Sequence, residues 1–306
     1  MPKALLAALL LPTFAFAEAP TPPAQPERGP GGKECAAVRV RRSVHGSGAT
    51  QFWLYEPVRE AGGKVPLILF LHGYSATSPG GYEAWLTHLA QRGNLVIYPR
   101  YQADLLTPPE QFQPNTATAI RDALALFAEG HVLTPDLTRV AVVGHSAGGV
   151  GAVTYAARAA ADGLPVPRCV MAVEPGQGME NGVQFLPLDD YGKIPPETRL
   201  LVLVGESDHF VGTACARRIW GRTAQVKTRA FLTVPSDDHG EPVLRANHLS
   251  PLAADIHTAD ALDFLAYWRT FDALCEDTFA ARPLHVETTL GTWSDGTPVK
   301  PLRAEY

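Results

Sequence analysis

The stretch "RVAVVGHSAGGVGAVTYAARA", residues 139–159, decides the reading of this chain. Val140–Val143 is an apolar, β-favouring run. It breaks at Gly144-His145-Ser146-Ala147-Gly148, and a stretch of small residues with helical character follows. A serine on so sharp a strand-to-helix turn needs small neighbours, because strand and helix pack closely there. Gly144 and Gly148 give that room, and Gly149 and Gly151 relax it further. The turn lifts the Ser146 hydroxyl to the top of a sheet. It also sets the Ala147 N–H at a helix N-terminus, where it can stabilise a developing oxyanion. A packing turn rich in glycine is the bland alternative. The strand before and the helix after favour a nucleophile.

The surrounding pattern supplies the sheet. "AVRVRRSV" (37–44) and "QFWLYEPV" (51–58) alternate like an opening antiparallel hairpin. "VPLILFLHG" (65–73) reads as a fully buried strand ended by glycine. Helical patterns at 82–93, 116–130, 147–162, 212–223 and 258–277 alternate with strands at 94–99, 139–143, 168–175, 199–207 and 228–236. Such alternation predicts an α/β fold, a mostly parallel sheet with helices on both faces. Its site belongs at the carboxyl ends of the strands. Residues 176–197 lack periodicity and are expected to form a pocket rim or small lid. The tail, 278–306, shows no strong period.

A serine nucleophile of this kind takes its acid and then its base from later in the chain. Asp208, in "GESDHFVG" after the strand at 199–204, is the favoured acid, and Glu206 is its competitor in the same loop. Capping of the next helix is the bland role for either. Two histidines follow the last of these strands. His239 lies five residues past Val234 and His248 fourteen. A short loop holds an imidazole more firmly, so His239 is expected to be the base, with His248 as the alternative. The second oxyanion donor is expected from the Tyr74 N–H, after the third strand. His145 and His209 read as neighbours packing beside the site. Trp85, Tyr101 and Phe210 are candidate pocket aromatics, with core packing the plainer role for Trp85.

"LHGYSA", "GHSAGG", "VGESDHFVG" and "VPSDDHG" together resemble the α/β-hydrolase superfamily, over roughly residues 50–275. Within it the chain is similar to the dienelactone-hydrolase, chlorophyllase-like and bacterial cutinase branch. "HGEP" at His239 matches the H-x-x-P spacing of the cutinases, and "HLSP" at His248 matches it better in residue type. Ala147 stands where those cutinases carry methionine. The resemblance implies the α/β-hydrolase fold and a carboxylic ester hydrolase working through an acyl-enzyme, with no cofactor and no metal. A peptidase or thioesterase with the same triad is the runner-up. A hydrolase-fold binding protein without activity is the reading from another class.

The chain has 306 residues, 46% hydrophobic and 19% charged, with net charge −5 and no run of like charge. That balance argues against a nucleic-acid partner, and the resemblance implies a small-molecule or polymeric ester as the expected one. Residues 1–17 read as a signal peptide cut after Ala17, which makes the protein secreted or periplasmic. The apolar run Ala4–Leu11 is too short to span a bilayer. The Pro/Gly-rich stretch 18–34 is expected to be a disordered or extended linker, ahead of one hydrolase domain over 35–306 that includes the tail. Four cysteines in an exported chain permit disulfides, with Cys215–Cys275 the favoured pair. Their spacing fits no zinc motif.

Overall fold

A computed structural model describes residues 18–128 and 132–306; the expected signal peptide, 1–17, lies outside the described residues. The strands are β1 (Val40–His45), β2 (Phe52–Pro57), β3 (Gly63–Leu71), β4 (Leu95–Pro99), β5 (Leu133–His145), β6 (Cys169–Val173), β7 (Arg199–Gly205), β8 (Arg229–Val234) and β9 (Arg303–Glu305). They form a mixed sheet in the order β1-β2-β4-β3-β5-β6-β7-β8-β9. β1 and β2 are the antiparallel opening hairpin, and β2 also runs antiparallel to β4. From β4 through β8 every pairing is parallel.

The central strands are buried on both faces, and their period of two sorts side chains into two cores. Leu67, Leu69 and Leu71 of β3 point to one face, under α2 (Phe112–Phe127), α3 (Ala147–Arg158) and α4 (Ala214–Arg222). Ile68 and Phe70 point to the other, under α1 (Glu83–Gln91) and α5 (Arg269–Phe279). α5 continues a wider-wound turn over Asp263–Trp268. No helix among the described residues is long and apolar enough to cross a membrane.

This two-faced arrangement explains the cysteines. Cys215 of α4 belongs to one core and Cys275 of α5 to the other, so the sheet stands between them. All four cysteines are free thiols, and the expected Cys215–Cys275 pair is not formed. The Cys275 thiol instead hydrogen-bonds with that of Cys169 on β6, and burial pushes it well above the usual thiol range.

Both ends of the described chain are tied down. The stretch expected as a disordered or extended linker is seated on the body. Gly31 N donates to buried Asp272 Oδ2 at 2.8 Å, Thr21 N to Ser294 Oγ at 2.9 Å, and Glu241 N to Pro20 O at 2.8 Å. It has little apolar surface to bury, and backbone hydrogen bonds hold it instead. The tail buries Trp293, whose Nε1 lies 3.3 Å from Asp237 Oδ2, and ends in β9, antiparallel to β8. Three residues of strand leave no periodic signal to read.

Candidate active site

Ser146 sits between the end of β5 and the start of α3 with φ +58° and ψ −122°, a conformation side chains rarely adopt. The surrounding glycines are required by contact distance. A Cβ on Gly144 would come 2.0 Å from Gly148 O, and one on Gly148 would come 2.1 Å from Leu71 O. Ser146 N donates to Val173 O at 2.9 Å, which ties the turn to β6.

His248, not His239, reaches the serine. His248 Nε2 lies 2.9 Å from Ser146 Oγ, and its Nδ1 lies 2.8 Å from Asp208 Oδ2. All three side chains are buried. Asp208 stands in the loop after β7, where its Oδ1 also accepts the N–H groups of Phe210 and Val211 at 3.0 and 3.1 Å. Those bonds fix the carboxylate so that Oδ2 faces the imidazole. The Phe210 ring stacks on His248 with centroids 5.0 Å apart.

The shorter loop does not carry His239 to the serine, and the reason is physical. The segment after β8 folds back on itself. Asp237 and Leu244 exchange backbone hydrogen bonds at 2.7 and 2.9 Å. Ala246 N donates to Ser236 Oγ, and Ser207 N to Ala246 O. The fourteen residues from Val234 to His248 therefore act as a short, stapled connection. His239, on the outer bend, is exposed, and its Nε2 lies 2.8 Å from Asp295 Oδ2 of the tail. Glu206 is engaged elsewhere too: it accepts from Ser236 N at 3.0 Å and pairs with Arg303 at 2.7 Å.

The two expected oxyanion donors flank the serine. A Cβ on Gly73 would lie 3.4 Å from Ser146 Cβ, so the Gly73–Tyr74 backbone runs beside that serine. Neither the Tyr74 N–H nor the Ala147 N–H has an acceptor among the described residues. The Tyr74 hydroxyl donates to Leu105 O at 2.6 Å, and its ring meets Phe185 at 5.1 Å. Beneath this loop, His72 stacks on Tyr101 with centroids 4.0 Å apart. Burial lowers its pKa to about 4, so it is neutral. Its single N–H serves one of the two carbonyls beside it, Gly73 O or Arg100 O.

A second carboxyl, overlooked in the sequence, stands behind the imidazole. Glu174 follows β6 with φ +45° and is fully buried. Its Oε2 lies 3.5 Å from His145 Nε2 and 3.6 Å from His248 Nδ1, and its Oε1 accepts from Tyr267 OH at 3.1 Å. Burial, reinforced by the charge of Asp208, raises its pKa well above the carboxylate range. His145 is held far below its ordinary value, first by burial and then by His248. Tyr82 OH takes the Gly73 N–H at 3.0 Å and lies 2.7 Å from His145 Nδ1. A run of neutral, buried groups thus backs the serine and its histidine. The signal was present in "MAVEPG": an acidic residue closing an otherwise apolar strand at the sheet's carboxyl edge.

His145, Glu174 and His248 bring donor atoms within 4.8 Å of one another, a spacing that could suit a cation. A protonated Glu174 and a His248 already bonded through both nitrogens are poor ligands, so the group reads as a hydrogen-bond network. Of the expected aromatics, Phe210 lies on the imidazole, Tyr101 stacks on His72 under the Gly73–Tyr74 loop, and Trp85 is buried in the core.

The family model described as chlorophyllase matches residues 29–189, slightly more than half of the chain. The match takes in the Gly73–Tyr74 loop, the Ser146 turn and Glu174. It ends before Asp208 and His248. No curated protein matches.

Proposed function

As the chain belongs to the chlorophyllase family, within the α/β-hydrolase superfamily, we propose that it is a carboxylic ester hydrolase with Ser146 as nucleophile, His248 as general base and Asp208 as the acid that orients it. The observation that carries this reading is the hydrogen-bonded relay Ser146 Oγ–His248 Nε2 and His248 Nδ1–Asp208 Oδ2. Ser146 Oγ attacks the ester carbonyl carbon while His248 Nε2 takes its proton. The carbonyl oxygen, now negative, lies against the free N–H groups of Tyr74 and Ala147. The carbon–oxygen bond to the alcohol then breaks, and His248 returns the proton to the leaving oxygen. Water repeats the sequence on the acyl-enzyme and frees the acid and the serine.

Asp208 keeps Nδ1 protonated and stabilises the imidazolium as it forms. A binding protein that had lost activity would have no need of an intact relay beside two unpaired backbone donors. Peptidase and thioesterase action would use the same relay, and the family favours a small-molecule ester. We retain export as part of the proposal, on the sequence of residues 1–17 alone; N-terminal sequencing of the mature protein tests it.

The test of the reaction is hydrolysis of short p-nitrophenyl esters, with the matching thioester and anilide alongside. Turnover of the esters, lost in Ser146→Ala, is the expected result. Equal rates in both proteins would remove the nucleophile, and preference for the anilide or thioester would move the substrate class.

A further inference from the structure

Two hollows border the serine–histidine pair, one touching Ala147 beside Ser146 and the other touching His248. One, of about 420 Å³, opens from Ala147, directly after the nucleophile. Its wall is mainly apolar: Leu71, Tyr101, Val150, Leu186 and Leu188. It is built from the end of β3, the 109–116 segment, α3 and the 186–190 loop, with no residue from the loops that carry Asp208 and His248. The other, of about 330 Å³, is lined only by those two loops, including Phe210, His248 and Leu249.

The chemistry of ester cleavage tells the two sides apart. His248 Nε2 must hand its proton to the leaving oxygen, so the alcohol part lies toward the His248 loop. The acyl part, attached to the carbon that Ser146 attacks, points the other way. We propose that the 420 Å³ cavity is an acyl site, and that it takes an uncharged, medium-length aliphatic chain. The inference rests on the ester-hydrolase reading above.

Charge and volume set the class. The cavity is within the size range of small-molecule sites. It holds three acidic residues, Glu110, Asp189 and Asp190, against one basic residue, Arg158. That arginine is already engaged, 3.3 Å from Asp189 and 3.7 Å from Asp162. A chain ending in a carboxylate would meet net negative charge with no free cation. An aliphatic chain would meet leucine, valine and aromatic carbon, with a gain of about fourfold for each methylene buried. Thr154, facing the cavity from α3 two turns beyond Ser146, is positioned to set its depth.

The experiment measures kcat/KM over two substrate series: p-nitrophenyl esters from acetate to decanoate, which vary the acyl part, and acetates of alcohols of increasing length, which vary the leaving group. Thr154→Phe is expected to lower the octanoate-to-acetate ratio by about tenfold or more and to leave the ratios within the alcohol series unchanged. Leu188→Ala, which enlarges the cavity, is expected to move the acyl optimum to longer chains, and it carries the test if Thr154→Phe does not fold. An unchanged acyl ratio in both variants, or a shift confined to the alcohol series, overturns the acyl site while the esterase reading stands. If the wild-type protein turns over no ester, the reaction fails instead, and thermal denaturation with octanamide decides the cavity. A rise in midpoint that Thr154→Phe loses supports it; no rise overturns it.

Discussion

Glu174 Oε2 lies 3.6 Å from His248 Nδ1, the same nitrogen that Asp208 holds at 2.8 Å. One imidazole edge therefore faces two carboxyl groups of different character. Asp208 has two backbone N–H groups to support a negative charge; Glu174 has a single tyrosine hydroxyl and a fully buried setting that keeps it protonated. Like charges so close oppose one another, and burial decides which group stays neutral.

Glu174→Gln should thus be mild at neutral pH, because an amide replaces a carboxyl that carries no charge. The expected fall in kcat is within about tenfold. Stability gives the sharper readout. With its pKa raised above 4.5, folded Glu174 keeps a proton that the unfolded chain releases, so its contribution is complete below 4.5 and is lost as pH rises toward the folded pKa. The glutamine variant has no such loss. Its denaturation midpoint, relative to wild type, should climb as the pH rises above 4.5; parallel curves would mean that Glu174 is charged in the folded protein.

His248→Ala is expected to lower kcat/KM by about 10⁴ or more, as is Ser146→Ala, and the double variant should be hardly worse than either. His239→Ala removes an exposed pair with Asp295, worth at most about 1 kcal/mol, and should leave kcat/KM within about twofold. Steady-state kinetics on one ester ranks the two histidines, and the reverse ranking would displace His248 as the base.

Gly148→Ala should abolish soluble folded protein or cost about 3 kcal/mol. The added methyl would meet Leu71 O at 2.1 Å and His72 O at 2.4 Å, both backbone atoms that cannot rotate aside. Gly80→Ala, with nothing within 4 Å, is the matched control. Chemical denaturation of the pair measures the difference, and equal midpoints would contradict the close packing of α3 on β3.

His72 makes stability depend on pH in the opposite direction to Glu174. Its pKa falls from 6.5 to about 4 on burial, so the unfolded chain takes up a proton that the folded protein refuses. Its contribution is complete above 6.5 and is lost as pH falls toward 4, at most about 3 kcal/mol. A His72→Asn variant, though less stable overall, should show a flatter decline over that window than wild type. An identical decline would assign the acid sensitivity to other groups.

The sequence disclosed what is local and withheld what is made by folding back. Gly144, Ser146 and Gly148 lie within five residues, and their role follows from the turn they make. Asp208 was readable from its place after a strand. The choice between His239 and His248 depended on whether the loop after β8 hangs free or is stapled, and the Asp237–Leu244 bonds that staple it leave no mark in composition. Glu174 was visible as a residue type but not as a neighbour of His248, since 74 positions separate the two numbers and it takes the parallel order β6-β7-β8, with the loop after β8 folded back, to bring them together. The Pro/Gly-rich stretch has few apolar side chains, so nothing in it announced the Asp272 and Ser294 contacts.

The short strand β9 has a consequence for the life of the protein outside catalysis. β8 is largely buried and apolar, and without Arg303–Glu305 its outer edge would present unpaired amide and carbonyl groups to any passing chain. Arg217 clasps Glu305 through two contacts of 2.6 Å, and Arg303 grips Glu206, so the closing strand is latched by charge at both ends. Removal of Arg303–Glu305 would leave Ser146, Asp208 and His248 in place yet exchange a three-residue, charged edge for the longer, apolar edge of β8. Three residues of strand thus keep the apolar edge of β8 from pairing with a second copy of this chain.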